Sequence, residues 1–349
     1  MKKIKVLVVG CGRMGRIGTR YLYNKGLDIV GAIDANPALD GIDLGTHAGL
    51  DVELGVKISN DIDKVLASTD AKVAICAMFS TMIENEPVFN KLLEHGINII
   101  TTCDESHYCW NTAPEVTKRL DELAKKNNCS LIGCGFQDVF WLHIVDTVAG
   151  GVNEIKTIKG LVINNSDDYG PVLGKQYKVG LTVEEFNAAI KEEMASGDVG
   201  AITRATNEAL CASFHLTPTG HSVEVVPYVK DHDVYSKTME CLIPAGNSVG
   251  TTERVTTTTA EGITIINDYN IFVYDEKCGE CDLTTWYLKG EPNVDLELPR
   301  GLTAPLTMST LVNRIPDAIK ATPGYHPNAD LPAAKYYTTP EDMVKALEA

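Results

Sequence analysis

Short apolar runs alternate with amphipathic stretches over the first 135 residues of the chain. The apolar runs predict five strands, at residues 4–9, 29–33, 73–77, 97–102 and 130–134. The amphipathic stretches predict helices at about 13–25, 60–68, 84–95 and 112–127. Strands that alternate with helices form a parallel sheet with right-handed crossovers, so we expect a doubly wound α/β domain.

The pattern changes after Gly135. Residues 155–164 and 223–290 are rich in Val, Thr, Ile and Tyr and alternate with period two, which is typical of antiparallel sheet. Helices are predicted at 182–196, which opens on a capping-box pattern, at 203–213 and at about 306–320. We therefore expect a second, α+β domain with a largely antiparallel sheet.

The bulk composition excludes several classes of partner. The chain has 349 residues, enough for two domains, and a net charge of −16, which disfavours nucleic acids and anionic membranes. A Lys pair near the N-terminus precedes only the short apolar run Val6 to Val9, too short for a signal peptide. Because no apolar run is long enough to span a membrane, we expect a soluble, cytoplasmic protein.

The first strand leads into the sequence Gly10-x-Gly12-x-x-Gly15, and Asp34 follows at the end of the second strand. Gly10 permits a tight turn, Gly12 lets a pyrophosphate approach the backbone and the next helix, and Gly15 allows close packing of helix on strand. An acid at this spacing accepts hydrogen bonds from the hydroxyls of an adenosine ribose. The combination predicts a dinucleotide site in a Rossmann-type domain.

Asp34 favours NAD over NADP, because its carboxylate repels a 2′-phosphate. NADP stays an alternative, since Arg13 or Arg16 could reach a phosphate. The residues expected to contact the cofactor are Gly10, Cys11, Gly12, Arg13, Met14, Gly15, Asp34, Met78, Phe79, Ser80, Thr102 and Asn313.

We expect three segments in the chain. Residues 1–135 form the dinucleotide-binding domain, and residues 136–302 form an α+β domain for the substrate and for dimerisation. Residues 303–349 are expected to pack back on the cleft and the nucleotide domain. An open, Thr-rich sheet commonly pairs with a second copy, so a homodimer is expected.

The strand at 97–102 ends in Cys103-Asp104-Glu105-Ser106-His107, where a doubly wound fold faces the nicotinamide. Either carboxylate could transfer protons at this place. The structural alternative is that Asp104 or Ser106 caps the helix that follows and that Glu105 favours its N-terminus. We favour catalysis for Glu105, capping for Asp104, and a solvated or structural role for His107.

The next strand is followed by Phe136, Gln137, Phe140 and Trp141, at the crossover into the second domain. Aromatic residues at a domain crossover could line an apolar substrate pocket. The alternative is an ordinary helix core. We favour the pocket for Phe136 and Trp141 and leave Phe140 open between the two.

No metal is expected. The chain has ten cysteines, which in the cytoplasm stay reduced and mostly buried. Cys278-Gly279-Glu280-Cys281 has the spacing of half a zinc site, but a second pair is missing and the nearby histidines lack ligand spacing.

The glycine motif, the acidic strand end at 103–105 and the Gly135-Phe136 crossover resemble the 2,4-diaminopentanoate dehydrogenases and the related NAD(P)-dependent amine dehydrogenases. Four further segments strengthen the resemblance: 180–186, 311–316, 321–324 and 330–332. The resemblance implies that the active-site acid is Glu105. It also implies a substrate pocket near Phe136, Phe140, Trp141, Tyr169 and Thr303.

The same resemblance implies reversible oxidative deamination of an amine, or reductive amination of a ketone or aldehyde with ammonia. Many diaminopentanoate dehydrogenases carry Asn-Pro-Gly-Phe where this chain has residues 137–140, so the amine dehydrogenase branch fits better. Sugar dehydrogenases of similar layout end the corresponding strand in Glu-Lys-Pro, and dihydrodipicolinate reductases carry paired histidines that are missing here.

Two alternatives stay open. A diamino-acid dehydrogenase needs a cation for the substrate carboxylate, and Arg204 and Lys175 are its candidates. A non-catalytic NAD-binding sensor needs the nucleotide site but has no need of Glu105.

Overall fold

The computed structural model describes residues 3–168, 170–196 and 199–348. The chain divides into two compact units, Met1–His143 with Thr303–Ala349, and Ile144–Leu302. The first boundary lies after His143 and not, as expected, after Gly135. The reason is that residues 136–138 bond to the C-terminal segment of the same unit, through Thr307 and Arg314.

The N-terminal part of the first unit alternates strands and helices as predicted. Its strands are β1 Lys5–Val9, β2 Asp28–Ile33, β3 Ile58–Ser59, β4 Val73–Cys76, β5 Asn98–Thr101 and β6 Ser130–Gly133. Its helices are α1 Arg13–Asn24, α2 Leu44–Ala48, α3 Ile62–Leu66, α4 Met82–Glu94 and α5 Pro114–Lys126. The sequence pattern did not predict the two-residue β3 or the five-residue α2.

The second unit holds a mixed sheet with helices. Its helices are α6 Ile144–Ala149, α7 Pro171–Gln176, α8 Val183–Ser196 and α9 Ala201–Ser213. Its strands are β7 Glu154–Asn165, β8 Pro218–Val229, β9 Val234–Ser236, β10 Cys241–Ile243, β11 Ser248–Thr259, β12 Thr264–Phe272, β13 Leu283–Glu291 and β14 Val294–Pro299. Six strands pair in the order β14-β13-β7-β12-β11-β8, antiparallel except for β7 with β12, while β9 and β10 form a hairpin.

The C-terminal segment returns to the first unit. It contains α10 Thr303–Asn313, α11 Ile315–Lys320, β15 Gly324–His326 and α12 Pro340–Glu348. The single helix predicted at 306–320 is wrong, because the helix is interrupted at Arg314, which precedes Pro316 in the first turn of α11. The Pro/Gly-rich stretch after it is not a simple loop, since β15 pairs in parallel with β6.

The sheet of the first unit has the order β15-β6-β5-β4-β1-β2-β3, with parallel pairing throughout. It is buried on both faces: Val6 and Val8 of β1 lie in one apolar core, Leu7 and Val9 in the other. The strand order reverses between β1 and β4, and such a switch point is where doubly wound sheets bind ligands, beyond the carboxyl ends of the strands. Of the helices in the described ranges, none is long and apolar enough to span a bilayer.

Candidate active site

The glycine loop after β1 has the geometry of a phosphate cradle. Gly10 has φ +85°, and a Cβ there would lie 2.2 Å from the Ala77 carbonyl oxygen. A Cβ on Gly15 would lie 1.9 Å from the Gly10 carbonyl oxygen. By contrast, a Cβ on Gly12 would meet nothing within 4 Å. The protein's own packing therefore requires glycine at positions 10 and 15. At Gly12 the space where a side chain would lie is open.

That open space adjoins the N-terminus of α1, a helix of 12 residues that begins at Arg13. Gly12 is its N-cap residue and no side chain caps the helix; its first turn carries no acidic residue. The first backbone N–H groups of a helix lack intrahelical acceptors and attract anions. The loop therefore fits a pyrophosphate bound by backbone N–H groups, as expected for an NAD-type cofactor.

Asp34 is held beside this loop at the end of β2. Its Oδ2 accepts a hydrogen bond from the Cys11 N–H at 2.6 Å, and its Oδ1 accepts one from the Asn36 N–H at 2.8 Å. His47 reaches the same loop, with Nε2 2.8 Å from the Cys11 carbonyl oxygen. The carboxylate is thus oriented before any ligand binds, at the place where a ribose hydroxyl is expected.

Other predicted cofactor contacts lie at strand ends near the switch point. Met78, Phe79 and Ser80 follow β4, and Phe79 is 50% exposed, which is unusual for a ring of this size. Thr102 follows β5 and donates its N–H to the Cys76 carbonyl oxygen at 3.0 Å. Their place is consistent with the prediction of a nicotinamide site here.

Asn313 does not lie with them. It lines a cavity with Tyr21, Asn24 and Lys25, at the C-terminal end of α1. At about 1.5 Å per residue, a helix of 12 residues puts this end some 18 Å from the glycine loop. Direct contact between Asn313 and the pyrophosphate therefore does not fit the structure.

Asp104 follows β5 and is half-buried. Its Oδ2 accepts a hydrogen bond from Ser80 Oγ at 2.7 Å, and its Oδ1 accepts one from Gln137 Nε2 at 2.6 Å. Desolvation raises the pKa of Asp104 above its usual value, although the two hydrogen bonds act in the opposite direction. The expected cap of the following helical turn is wrong, since neither Asp104 nor Ser106 caps it.

Glu105 is 8% exposed and reaches a different helix. Its Oε2 accepts a hydrogen bond from the Met82 N–H, the first residue of α4, at 2.7 Å. Thr81, the N-cap residue of α4, makes no side-chain cap bond. Glu105 therefore caps α4 from a neighbouring loop. This bond fixes one carboxylate oxygen and leaves Oε1 as the oxygen available to a ligand.

His107 has a structural role and is not solvated, which decides between the two roles left open from the sequence. It is buried and hydrogen-bonds through Nδ1 to the Asn328 side chain. Burial lowers the pKa of His107 to about 4, so the imidazole is neutral at physiological pH.

A buried ion pair holds the loop that carries Gln137. Arg314 and Asp138 are both fully buried, and two hydrogen bonds of 2.7 Å join the guanidinium to the carboxylate. Burial alone would raise the pKa of Asp138, but the bonds from Arg314 and His143 outweigh it and hold the pKa at about 2. Gln137, next in sequence, is the residue that binds Asp104. Sequence analysis did not predict this ion pair, because its partners are 176 residues apart.

The three aromatic residues after β6 form one cluster. Phe140 and Trp141 lie in a π-helical turn, Gln137–His143, and Phe136 immediately precedes that turn. Phe136 stacks on Phe140 with ring centroids 4.5 Å apart and meets Trp141 edge to face at 6.2 Å. Phe136 and Trp141 are buried, whereas Phe140 is partly exposed. Thr303 begins α10 and is also partly exposed. Tyr169 lies outside the described residues.

Residues 140–346 match the protein family defined by the C-terminal domain of 2,4-diaminopentanoate dehydrogenase. The chain belongs to the 2,4-diaminopentanoate dehydrogenase family. The N-terminal domain of dihydrodipicolinate reductase matches residues 4–107, which covers the glycine loop and the acidic strand end. Both the predicted family and the predicted fold class are confirmed.

Two relatives extend over almost the whole chain. The 2,4-diaminopentanoate dehydrogenase of Acetoanaerobium sticklandii is 27% identical over 348 residues, 96% of this chain and 95% of the relative. The solved structure of the amine dehydrogenase from Mycobacterium smegmatis is 32% identical, with a TM-score of 0.88, over 97% of this chain and 98% of that one.

More distant structures share the fold alone. GenD2 from gentamicin A biosynthesis, solved in complex with NAD, is 14% identical with a TM-score of 0.58, over 100% of this chain and 92% of that one. The myo-inositol dehydrogenase from Lactobacillus casei is 16% identical with a TM-score of 0.56, over 99% of this chain and 92% of that one.

Proposed function

We propose that this chain is an NAD-dependent amine dehydrogenase, which deaminates an amine oxidatively and, in reverse, aminates a ketone or aldehyde with ammonia. The observation that carries the proposal is an acidic strand end, Asp104-Glu105, beyond the sheet of a chain that belongs to this family. Family membership makes the protein an oxidoreductase acting on amine donors.

The residues present fit NAD. The open space at Gly12 and the uncapped α1 receive the pyrophosphate, and the oriented carboxylate of Asp34 receives the adenosine ribose. When bound, the cofactor supplies or accepts the hydride. NADP is the weaker candidate, because Asp34 repels a 2′-phosphate.

In this proposal Glu105 holds the cationic nitrogen of the substrate. Its Oε2 is fixed by the Met82 N–H, so Oε1 faces the ligand with a defined orientation. A carboxylate at this position attracts an ammonium or iminium cation. The same oxygen accepts and returns protons as ammonia adds and water leaves. A Lys at this position would repel the cation.

Asp104 serves as the second carboxyl of the site. Both of its oxygens are bound, by Ser80 and Gln137, so it has less freedom than Glu105 to contact a substrate. The buried pair Arg314–Asp138 positions Gln137 and, through it, Asp104.

One observation disfavours a substrate that carries a carboxylate. Of the two cations considered for it, Arg204 is paired with Glu208 at 2.8 Å. Lys175 is exposed in α7. The pairing of Arg204 favours a simple amine, ketone or aldehyde over a diamino acid, and Lys175 is the cation left for a substrate carboxylate.

The direct test is NADH oxidation by the purified chain, with and without ammonia, over a panel of ketones, aldehydes and keto acids. We expect NADH consumption that depends on both ammonia and a neutral carbonyl compound. Turnover that is restricted to keto acids would favour the diamino-acid reaction. NADH binding without turnover on any member of the panel would favour the sensor.

We also propose a cytoplasmic homodimer that pairs through the sheet of the second unit. In that sheet β8 is an edge strand, with Val226 40% and Val229 45% exposed. Exposed apolar residues on an open sheet are typical of a surface that pairs with another chain. Light scattering on the purified protein tests this directly, and a monomeric mass would rule it out.

A further inference from the structure

Three potential metal ligands meet in the second unit, although they are far apart in sequence. His232 lies in the turn between β8 and β9, while Asp275 and Cys278 lie in the loop between β12 and β13. One ligand atom from each of the three lies within 4.8 Å of the other two. From the sequence no metal is expected, because Cys278 and Cys281 lack a second pair and the nearby histidines lack ligand spacing, but the fold brings His232 and Asp275 beside Cys278.

The distances fit a tetrahedral ion. Asp275 Oδ2 lies 3.0 Å from His232 Nε2 and 3.8 Å from Cys278 Sγ. Zinc bonds of about 2.0–2.3 Å at tetrahedral angles place neighbouring ligand atoms about 3.3–3.7 Å apart. Two of the three separations therefore lie within a few tenths of an ångström of those around a tetrahedral ion, and the third, between His232 Nε2 and Cys278 Sγ, is at most 4.8 Å.

The surrounding hydrogen bonds orient the ligand atoms inward. Asp231 Oδ1 lies 2.8 Å from His232 Nδ1, which leaves Nε2 directed at the cluster. A carboxylate on the second ring nitrogen is the usual support of a metal-binding histidine. Likewise, the Lys277 N–H donates to Asp275 Oδ1 at 2.9 Å, which leaves Oδ2 for the ion.

Further hydrogen bonds anchor the β12–β13 loop beside the three ligands. Glu280 Oε2 accepts hydrogen bonds from the Asp275 N–H and from Lys230 Nζ, both at 2.6 Å. A cavity of about 470 Å³, lined in part by His232, Lys230 and Glu280, adjoins the cluster and gives an ion and a water access to it.

We propose that His232, Asp275 and Cys278 bind a divalent transition metal of the zinc type, with water as the fourth ligand. Imidazole, carboxylate and thiolate are the donors that Zn²⁺ prefers. Binding displaces the thiol proton of Cys278 and joins the β12–β13 loop to the β8–β9 turn. The site lies wholly in the second unit and serves stability, not the hydride transfer.

The test uses the full chain, stripped with EDTA and titrated with Co²⁺ and then Zn²⁺. We expect one equivalent of Co²⁺ to give tetrahedral visible bands and a thiolate-to-cobalt band in the near ultraviolet, which Zn²⁺ abolishes. C278S should lose the thiolate band, and H232Q should bind at least about 100-fold more weakly. C281S is the matched control, since Cys281 lies outside the cluster, and it should behave like wild type.

A second measurement needs no variant. Zn²⁺ should slow the alkylation of Cys278 by iodoacetamide in the wild-type protein at least tenfold, as mapped by mass spectrometry, while Cys281 reacts at an unchanged rate. The absence of both the thiolate band and the protection would overturn the proposal and leave an Asp231–His232–Asp275 ion network. A thiolate band that survives in C278S would equally overturn it.

Discussion

Glu105→Gln separates the two roles that the structure gives to Glu105. The amide oxygen of Gln can still accept the Met82 N–H, so the cap of α4 is kept. What is lost is the negative charge and the ability to accept a proton. We therefore expect a folded protein that binds NADH normally and turns over at a rate lower by about 10² or more.

The competing effect of the substitution is a loss of folding free energy, and the contacts of Glu105 indicate its size. Loss of the charge at a helix N-terminus costs about 0.3–1 kcal/mol of folding free energy. Glu105→Ala removes the acceptor as well and leaves the Met82 N–H unpaired, at a cost of about 1–3 kcal/mol. A 10²-fold loss in rate corresponds to about 2.7 kcal/mol in the activation barrier. For Glu105→Gln, the expected rise in the activation barrier thus exceeds the expected loss of folding free energy.

The assay combines kcat and KM for ammonia and a carbonyl compound, the NADH dissociation constant by fluorescence, and the melting temperature. Glu185 offers a matched control, because its carboxylate also accepts a backbone N–H at a helix start, from Thr182 at 2.9 Å in the second unit. Glu185→Gln should leave all four quantities nearly unchanged. If Glu105→Gln retains wild-type turnover, Glu105 is only a cap and the reasoning about the cationic nitrogen is wrong.

Four further changes test the rest of the account. Gly12→Ala should keep the melting temperature but weaken NADH binding, because its Cβ meets no protein atom and enters the phosphate space; unchanged binding would move the cofactor elsewhere. Asp34→Ser should lower kcat/KM for NAD and raise the NADP/NAD ratio, so a constant ratio would mean that Asp34 does not contact the ribose. Asp138→Asn removes the fully buried carboxylate from Arg314, which keeps Asp317 as a partner, and should lower the free energy of unfolding by at most about 3–5 kcal/mol, measured by denaturant unfolding. Because the pKa of Asp138 is lowered to about 2, against about 3.9 unfolded, its stabilisation is present above pH 4 and lost only as the pH falls toward 2; a loss near neutral pH would contradict this. Trp141→Ala should lower stability by about 3–5 kcal/mol as a buried ring, and a shift in preference along a ketone chain-length series with little loss of stability would instead favour the pocket.

The elements of the nucleotide unit followed from the sequence because each strand is a short apolar run with a helix behind it. The glycine loop was equally predictable from the sequence, since local geometry requires its residue types. Gly10 has a positive φ, and Gly15 lies against the loop backbone. Very short elements were missed, because the two residues of β3 are too few to show a period.

The contacts between distant segments could not be predicted. Nothing near Glu105 in sequence indicates that it caps α4, and Gln137 meets Asp104 only because β5 and β6 are neighbours in the sheet. The same holds for His232 and Cys278, which the fold of the second unit brings together. Local pattern therefore indicated candidate site residues, but not the contacts that hold them in place.

The product of a reaction with labelled hydride tests the central claim most directly. NADH that carries deuterium at the transferable position is incubated with the enzyme, ammonia and a ketone, and the product is identified by mass spectrometry. The account predicts an amine with one deuterium on the carbon that bears the nitrogen. A deuterated alcohol in its place, formed with or without ammonia, would contradict it.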